Sequence, residues 1–396
     1  MGKARGPRRR PGTGPSIRPR IAALPASRIR EVADVGMAMD GVIALWFGET
    51  DLPTPEFINR AATRALAAGH TFYTDNRGIP ELREALADYM GGLYGIDVGV
   101  ERVTVTASGM NALMLGQQCL IEPGDNVVVV VPLWPNLVET VHIMGGETRP
   151  VALTFGEGGW SLDLDRLFDA CDDRTRAVMI NSPGNPTGWM MSASEQRAVL
   201  EFCRRRGLWV VTDEVYDRIV YDRPHAPSFL EWAEPDDAVF VVNSFSKSWS
   251  MTGWRLGWIT APPALGPVLA KMNEYNIAAP TTFVQHAGVT AVREGEPFVA
   301  ATVERYRRAR DLVCRALGDM ARVRLAVPRA AFYAFFAVEG MDDSLAFAKR
   351  LLAETGVGLA PGSAFGAHGE GHLRLCFASS PERLAQALDR LAPALS

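Results

Sequence analysis

Cysteine is scarce in this chain, and no two cysteines lie close together. Cys119, Cys171, Cys203, Cys314 and Cys376 are spread over 396 residues. That spacing argues against a disulfide framework or a zinc knuckle, and the expected state is buried free thiol in a reducing cytoplasm. No apolar run approaches the length needed to span a bilayer, and there is no internal repeat. Positive charge is not in excess overall: 41 Lys and Arg stand against 45 Asp and Glu, a net charge of −4, which argues against a dedicated nucleic-acid binder. Acid is missing locally, however. Residues 1–30 hold Lys3, Arg5, Arg8, Arg9, Arg10, Arg18, Arg20, Arg28 and Arg30 and no Asp or Glu. With its proline and glycine content, stretch 1–21 is expected to be a disordered basic arm. It also lacks the apolar core of a signal peptide.

What is present is a large apolar complement, 47% hydrophobic residues, enough for two or three folding units at about 150 residues each. Ser27 could cap a helix beginning near Ile29, and Val42 to Phe47 reads as a short strand ending in the turn-rich loop that opens with Gly48. Helical spacing follows over Glu56 to Ala68 and Glu81 to Tyr89. From Val103 onward strand and helix alternate, the pattern of a mostly parallel α/β sheet. Strands are expected at Val103 to Thr106, Asn126 to Val131, Ala177 to Ile180, Leu208 to Thr212 and Ala238 to Val242. Glu296 to Leu317 reads as a long helix with a solvated, arginine-rich face. The last hundred residues read as a smaller α+β unit, with a strand over Ala331 to Val338, a helix over Ser344 to Thr355 and a strand over His372 to Phe377.

Each strand of the first unit runs directly into unusual polar or aromatic residues. Ser108, Gly109 and Met110 follow one strand at a helix start, where free amides suit a phosphate. Trp134 follows the next, Asn185 the next, Asp213 and Tyr216 the next, and Ser244 and Lys247 the last. Ligands of open α/β sheets bind outside the carboxyl ends of the strands, so these residues are expected to converge. Each alone has a structural alternative: Asp213 could cap a helix, Asn185-Pro186 could be only a turn, and Trp134 could be core. The stretch Ser244 to Gly257 joins hydroxyls, Lys247 and Arg255 without an acid, a composition suited to an anionic ligand bearing a carbonyl. A lysine nucleophile must be neutral, and a neighbouring cation is one way to lower its pKa. Arg374 in an apolar strand requires an anionic partner, since an unpaired buried charge is very costly. His368, Glu370 and His372 lie among glycines, with no helix to fix their spacing, so no metal site is expected there.

A ring cofactor with a phosphate, an aldehyde and a pyridine nitrogen would use all these groups. Lys247 could hold the aldehyde and Asp213 the ring nitrogen. Tyr216 and Asn185 could reach a ring hydroxyl, and Trp134 could stack on the ring. Arg255, Ser244 and the amides of Ser108 to Met110 could hold the phosphate, and Arg374 an α-carboxylate.

The motifs Asn-Pro-Thr-Gly at 185–188, Asp-Glu-Val-Tyr at 213–216, Ser-Phe-Ser-Lys with Gly-Trp-Arg-Leu-Gly within 244–257, and Tyr-Thr-Asp-Asn-Arg-Gly-Ile-Pro-Glu-Leu-Arg at 73–83 resemble the fold-type I pyridoxal-phosphate enzymes. Within these the chain is similar to the class I aminotransferases related to aspartate aminotransferase. The resemblance covers about Ala22 to Leu395. It implies a large domain with a seven-stranded, mostly parallel sheet (57–293) and a small α+β domain (294–396) joined by an N-terminal segment (22–56). It implies pyridoxal 5′-phosphate on Lys247 as a Schiff base, with Lys247 also the base in ping-pong half-reactions between an L-amino acid and a 2-oxo acid. It further implies a homodimer with shared sites, Tyr73 reaching the partner's phosphate, and Gly48 offering backbone to the substrate carboxylate. Met110 stands where aspartate-specific relatives often carry lysine, and Leu137 where Tyr or His is common, so a strict dicarboxylate preference is not expected. Aspartate, an aromatic or aliphatic amino acid, and a specialised biosynthetic intermediate all remain open, and Arg77 is a candidate distal cation or half of a surface or interface salt bridge. Two further readings stay open: a lyase eliminating a β- or γ-substituent on the same scaffold, and a non-catalytic sensor retaining the cofactor.

Overall fold

Five consecutive valines, Val127 to Val131, run through the middle of the molecule, all 5% exposed or less. Burying each such side chain stabilises the fold by about 1.5–3 kcal/mol, and a strand apolar on both faces belongs in a sheet covered on both sides. The computed structural model describes residues 17–156 and 158–396, and its main sheet has seven strands. They are β1 (Val103–Thr106), β2 (Asn126–Val131), β3 (Glu147–Ala152), β4 (Thr175–Asn181), β5 (Trp209–Asp213), β6 (Val239–Ser244) and β7 (Gly257–Thr260). Their spatial order is β1-β7-β6-β5-β4-β2-β3. All neighbours are parallel except at β7, which is antiparallel to β1 and β6. The connection from β6 to β7 carries only short helical turns, and a chain that returns without a full crossover must pair antiparallel.

Register decides where the site forms. Asn181 lies beside Asp213 and Asp213 beside Val242. Ser244 lies beside Gly257, and Gly257 beside Thr106. The residues that end four of the parallel strands therefore form one row along the carboxyl edge.

A second apolar cluster gathers the N-terminal residues Ile29 to Trp46 with most of the chain after Tyr306. Helix α1 (Arg28–Met37) is capped by Ser27, whose hydroxyl accepts the Arg30 amide, as the sequence suggested. It packs on a four-stranded antiparallel sheet that includes β8 (Tyr333–Val338) and β9 (His372–Cys376). The expected strand over Val42 to Phe47 shortens to Ile43–Ala44. Beyond it the backbone turns to other partners: Leu45 accepts the Cys376 amide, and the Trp46 carbonyl accepts Arg374.

Three expectations change. Most of the basic arm, residues 1–16, lies outside the described residues, but Pro19–Ala22 forms a helical turn. Arg18 there donates to the Ile143 carbonyl at 3.0 Å. The long helix Glu296–Gly318 is not merely solvated on its charged face. Arg305 pairs with Asp51 at 2.7 Å, Arg307 donates to the Tyr221 carbonyl, and Arg310 lies over the Tyr221 ring. Arg77 is neither a distal cation nor half of a surface salt bridge. Its guanidinium donates to the Glu101 and Val103 carbonyls at 2.6 and 3.0 Å and to Thr104, fastening the Tyr73–Arg83 segment to β1.

All five cysteines are unpaired. Glu370 accepts the Ser344 amide, and the His372 ring stacks on Phe335 at 4.8 Å, so both side chains serve packing. Among the described residues, no group of three or more His, Cys, Asp or Glu side chains could hold a metal, and no helix is long and apolar enough to cross a membrane.

Candidate active site

The carboxyl edge of the main sheet and residues from both the N-terminal and C-terminal parts of the second unit enclose a cavity of about 580 Å³. Gly48, Gly109, Met110, Trp134, Asn185, Asp213, Tyr216, Ser244, Lys247, Arg255 and Arg374 all line it. Residues from the two ends of the chain thus meet as the strand-end rule requires.

Lys247 sits on the turn Phe245–Ser248 that follows β6, with Ser244 as its cap. Phe245 is fully buried and packs on Trp249 and Trp258 at 5.0 and 5.2 Å, which pins the turn from below. The Lys247 amine donates to the Gly48 carbonyl at 2.7 Å. Burial pushes its pKa down to about 8, and nearby Arg374 adds to the fall. Desolvation is therefore the main cause, and the neighbouring cation that the sequence offered as one way is a smaller one. Asp213 is 4% exposed. Its carboxylate accepts the Val215 amide at 3.3 Å, and burial raises its pKa to about 7 despite the pull of that bond and of Lys247. An acid held near neutrality by desolvation is ready to ionise beside a cationic group.

Asn185 is fixed from both sides. Its amide donates to Asn181 Oδ1 at 2.7 Å, and Asn181 Nδ2 donates to the Asp213 carbonyl at 3.1 Å. Its side-chain oxygen accepts Arg374 at 2.7 Å. Arg374 is 2% exposed; it also donates to the Trp46 carbonyl and lies over the Tyr333 and Phe365 rings. Its Nε has no partner, and among the described residues no carboxylate pairs with it. A buried guanidinium held only by neutral groups is arranged for an anion that is not part of the chain.

A second anion cradle lies across the cavity. Ser108 Oγ accepts the Asn111 amide at 3.0 Å and caps the helix α2 (Gly109–Leu120). The first-turn amides of Gly109 and Met110 face the cavity edge at the positive end of that helix. Ser244 Oγ lies within 2.9 Å of Ser246 Oγ. Arg255 reaches the same end from a left-handed backbone (φ 55°) and donates to the Thr252 carbonyl at 2.7 Å. Gly257 makes the close approach possible: a Cβ there would lie 2.7 Å from Gly109 N and 2.8 Å from the Asn243 carbonyl.

Two sequence-selected residues do not line this cavity. Ser108 serves through its cap. Tyr73 is 87% exposed, beside Phe72 at 81%, and lines a separate surface groove with Pro280 and Phe283. Leu137 is fully buried in the core, and its neighbour Asn136 faces the cavity instead. Sequence reasoning missed Tyr333, whose hydroxyl meets that of Tyr216 at 2.7 Å and blocks any side chain at Gly48. It also missed Asn181, which the strand-end rule applied once more would have found. Ile29, Arg30 and Phe47 complete the mouth; nothing local in the sequence marks them.

A family model described as aminotransferase class I and II matches residues 40–391. The chain is 35% identical to an aspartate aminotransferase of Pyrococcus horikoshii, over 96% of this chain and 97% of that one. It is 33% identical to an aromatic-amino-acid aminotransferase of Thermococcus litoralis, over 94% and 96%. A crystal structure of aspartate aminotransferase from Thermotoga maritima superposes with a TM-score of 0.90 at 34% identity, covering 96% of this chain and all of that one. Matched along nearly its whole length in sequence and in fold, the chain belongs to the class I and II aminotransferase family, as an enzyme of fold type I.

Proposed function

We propose that the protein moves an amino group between an L-amino acid and a 2-oxo acid, with pyridoxal 5′-phosphate attached covalently to Lys247. The observation that carries this reading is the cavity itself: a lysine with its pKa lowered to about 8 and a carboxylic acid raised to about 7 face the same space, between two separate anion cradles. The chain fits the cofactor through the cradle at the start of α2, which has room for a phosphate because Gly257 lacks a Cβ, while Arg374 across the cavity, with its unpartnered Nε, calls for a substrate anion. When bound, the cofactor supplies an aldehyde for the amine and a protonated ring that disperses negative charge from the substrate's α-carbon.

The residues then have separable tasks. Asp213, as a buried carboxylate, would pair with the ring nitrogen and favour its protonated form. The Gly109 and Met110 amides, Ser244 and Arg255 hold the phosphate. Trp134 would cover the ring face, and Tyr216, buttressed by Tyr333, would hold the ring hydroxyl together with Asn185. Arg374 and the Gly48 backbone fix the α-carboxylate, which orients the Cα–H bond. Lys247, as a neutral amine facing the same space, would be the base that takes the Cα proton of a bound amino acid and gives it back. A second half-reaction with a 2-oxo acid runs the same transfers in reverse.

The exposed Phe72, Tyr73 and Tyr275 support a homodimer in which Tyr73 reaches its partner's phosphate site. The division into a large domain (57–293) and a small one built from 22–56 and 294–396 draws support from the separate apolar clusters, with Tyr216, Ile219 and Tyr221 of the first packing into the second, and five unpaired thiols fit a reducing cytoplasm. The direct test is a single-turnover panel: the loaded enzyme is mixed with each amino acid without 2-oxo acid, and conversion to the aminated cofactor is followed by absorbance. A productive donor should bleach the aldehyde band, and 2-oxoglutarate should restore it. Release of ammonia with no response to 2-oxoglutarate would point to a lyase instead.

A further inference from the structure

The structure assigns Arg30 as the residue that selects the substrate side chain, and the side chain it selects is one ending in a carboxylate. This inference rests on the aminotransferase reading above and goes further by naming the substrate class.

The cavity wall holds three arginines, at three separate places. Arg255 stands at the helix-start cradle and Arg374 at the Asn185 end. Arg30 stands at the mouth, exposed on the third residue of α1, next to the buried anchor Ile29. Its guanidinium lies 5.3 Å from the centre of the Phe47 ring. Phe47 directly precedes Gly48, whose carbonyl holds the Lys247 amine. Arg30 is thereby tied through a cation–π contact to the loop that carries the reaction centre.

Among the described residues, Arg30 has no ion pair and its side chain makes no hydrogen bond; only its backbone amide is engaged, by Ser27. Two neighbouring acids are engaged by other groups, and Asp34, four residues on in α1, makes no ion pair with it. Glu31, next in α1, pairs with Lys349 at 2.5 Å, and Glu49 on the cavity wall accepts from Thr252. Position 110 itself offers no competing cation: it is Met, with Asn136 donating to its sulfur at 3.6 Å, and Arg255 at the same cradle is assigned to the phosphate. A bound dicarboxylic amino acid together with a cofactor phosphate presents three anionic groups to three arginines. An amino acid with an apolar side chain would leave the third guanidinium without one. The lack of a lysine at position 110 thus does not argue against a dicarboxylate, because the distal cation comes from the N-terminal helix.

The test uses the cofactor-loaded enzyme and two unreactive ligands, succinate and butyrate, titrated calorimetrically into the native protein, Arg30→Gln and Arg30→Lys. A charge-assisted pair at this position corresponds to about ten- to hundredfold in affinity. Arg30→Gln should weaken succinate by that factor and shift butyrate by less than about threefold. Arg30→Lys should recover much of the loss, and added salt should weaken succinate in the native protein. Single-turnover rates with aspartate and with phenylalanine should show the same split. Succinate binding unchanged by Arg30→Gln, equal losses for both ligands, or no succinate binding by the native protein would each overturn the proposal. Failure of the aminotransferase reading would look different: no amino acid would convert the cofactor, whatever residue stands at position 30.

Discussion

The lowered pKa of Lys247 can be tested by the rate at which the cofactor-free protein captures pyridoxal phosphate. The amine must be neutral to attack an aldehyde. With a pKa of about 8, against an ordinary value of 10.5, about one molecule in ten carries the neutral amine at pH 7, instead of about one in three thousand. Burial therefore raises the reactive fraction about 300-fold at neutral pH. The assay is stopped-flow absorbance of the visible band formed on mixing, from pH 6 to pH 10. The capture rate should climb about tenfold per pH unit at first and then level off near pH 8. A rate still climbing in proportion to hydroxide at pH 10 would show an ordinary, solvated lysine and refute the reasoning.

The same desolvation has a stability consequence. The folded protein binds the Lys247 proton less tightly than the unfolded chain does, so the charged amine destabilises the fold below pH 8, and the penalty fades as pH rises from about 8 to 10.5. Cofactor-free Lys247→Met should therefore be more stable than the native protein by about 3 kcal/mol at pH 7, with the gap closing across that window in urea titrations; a gap that widens with pH would contradict the sign. Arg374→Ala removes the one cation at the Asn185 end and should lower kcat/KM by at least about thirtyfold, with cofactor affinity nearly unchanged; an unaltered KM in steady-state assays would count against its role. Gly257→Ala forces a Cβ against three backbone atoms that cannot swing aside. It should cost about 1–3 kcal/mol of thermal stability and weaken cofactor binding measured by fluorescence titration, and normal affinity would show that the phosphate cradle does not depend on that approach.

How far the sequence could be read follows from where each signal lies. The central strands announce themselves because both faces are buried, which leaves uninterrupted valine and isoleucine runs such as Val127 to Val131 and Ala177 to Ile180. The site residues that end those strands, Asp213 and Ser244 above all, were legible because the edge of a parallel sheet is a fixed place for ligands. What could not be read is what arrives from elsewhere in the chain. Tyr333 is one aromatic residue in a strand full of them, and its value lies in meeting Tyr216 across more than a hundred residues. Arg30 looks like one more arginine of the acid-free first thirty residues until α1 is packed over the mouth of the cavity. The strand from Val42 to Phe47 was overread because its apolar pattern continues while its hydrogen bonds leave for Cys376 and Arg374. Arg77 was misread because an arginine that binds carbonyls has the same letter as one that binds carboxylates.

The most direct measurement is to trap the cofactor and find where it sits. The chain has four lysines, Lys3, Lys247, Lys271 and Lys349, so borohydride reduction of the loaded protein followed by peptide mass mapping has few possible outcomes. The expected result is one phosphopyridoxyl group per chain, all of it on Lys247. Label spread over the other lysines, or none on Lys247, would contradict the claim that one buried amine organises this site.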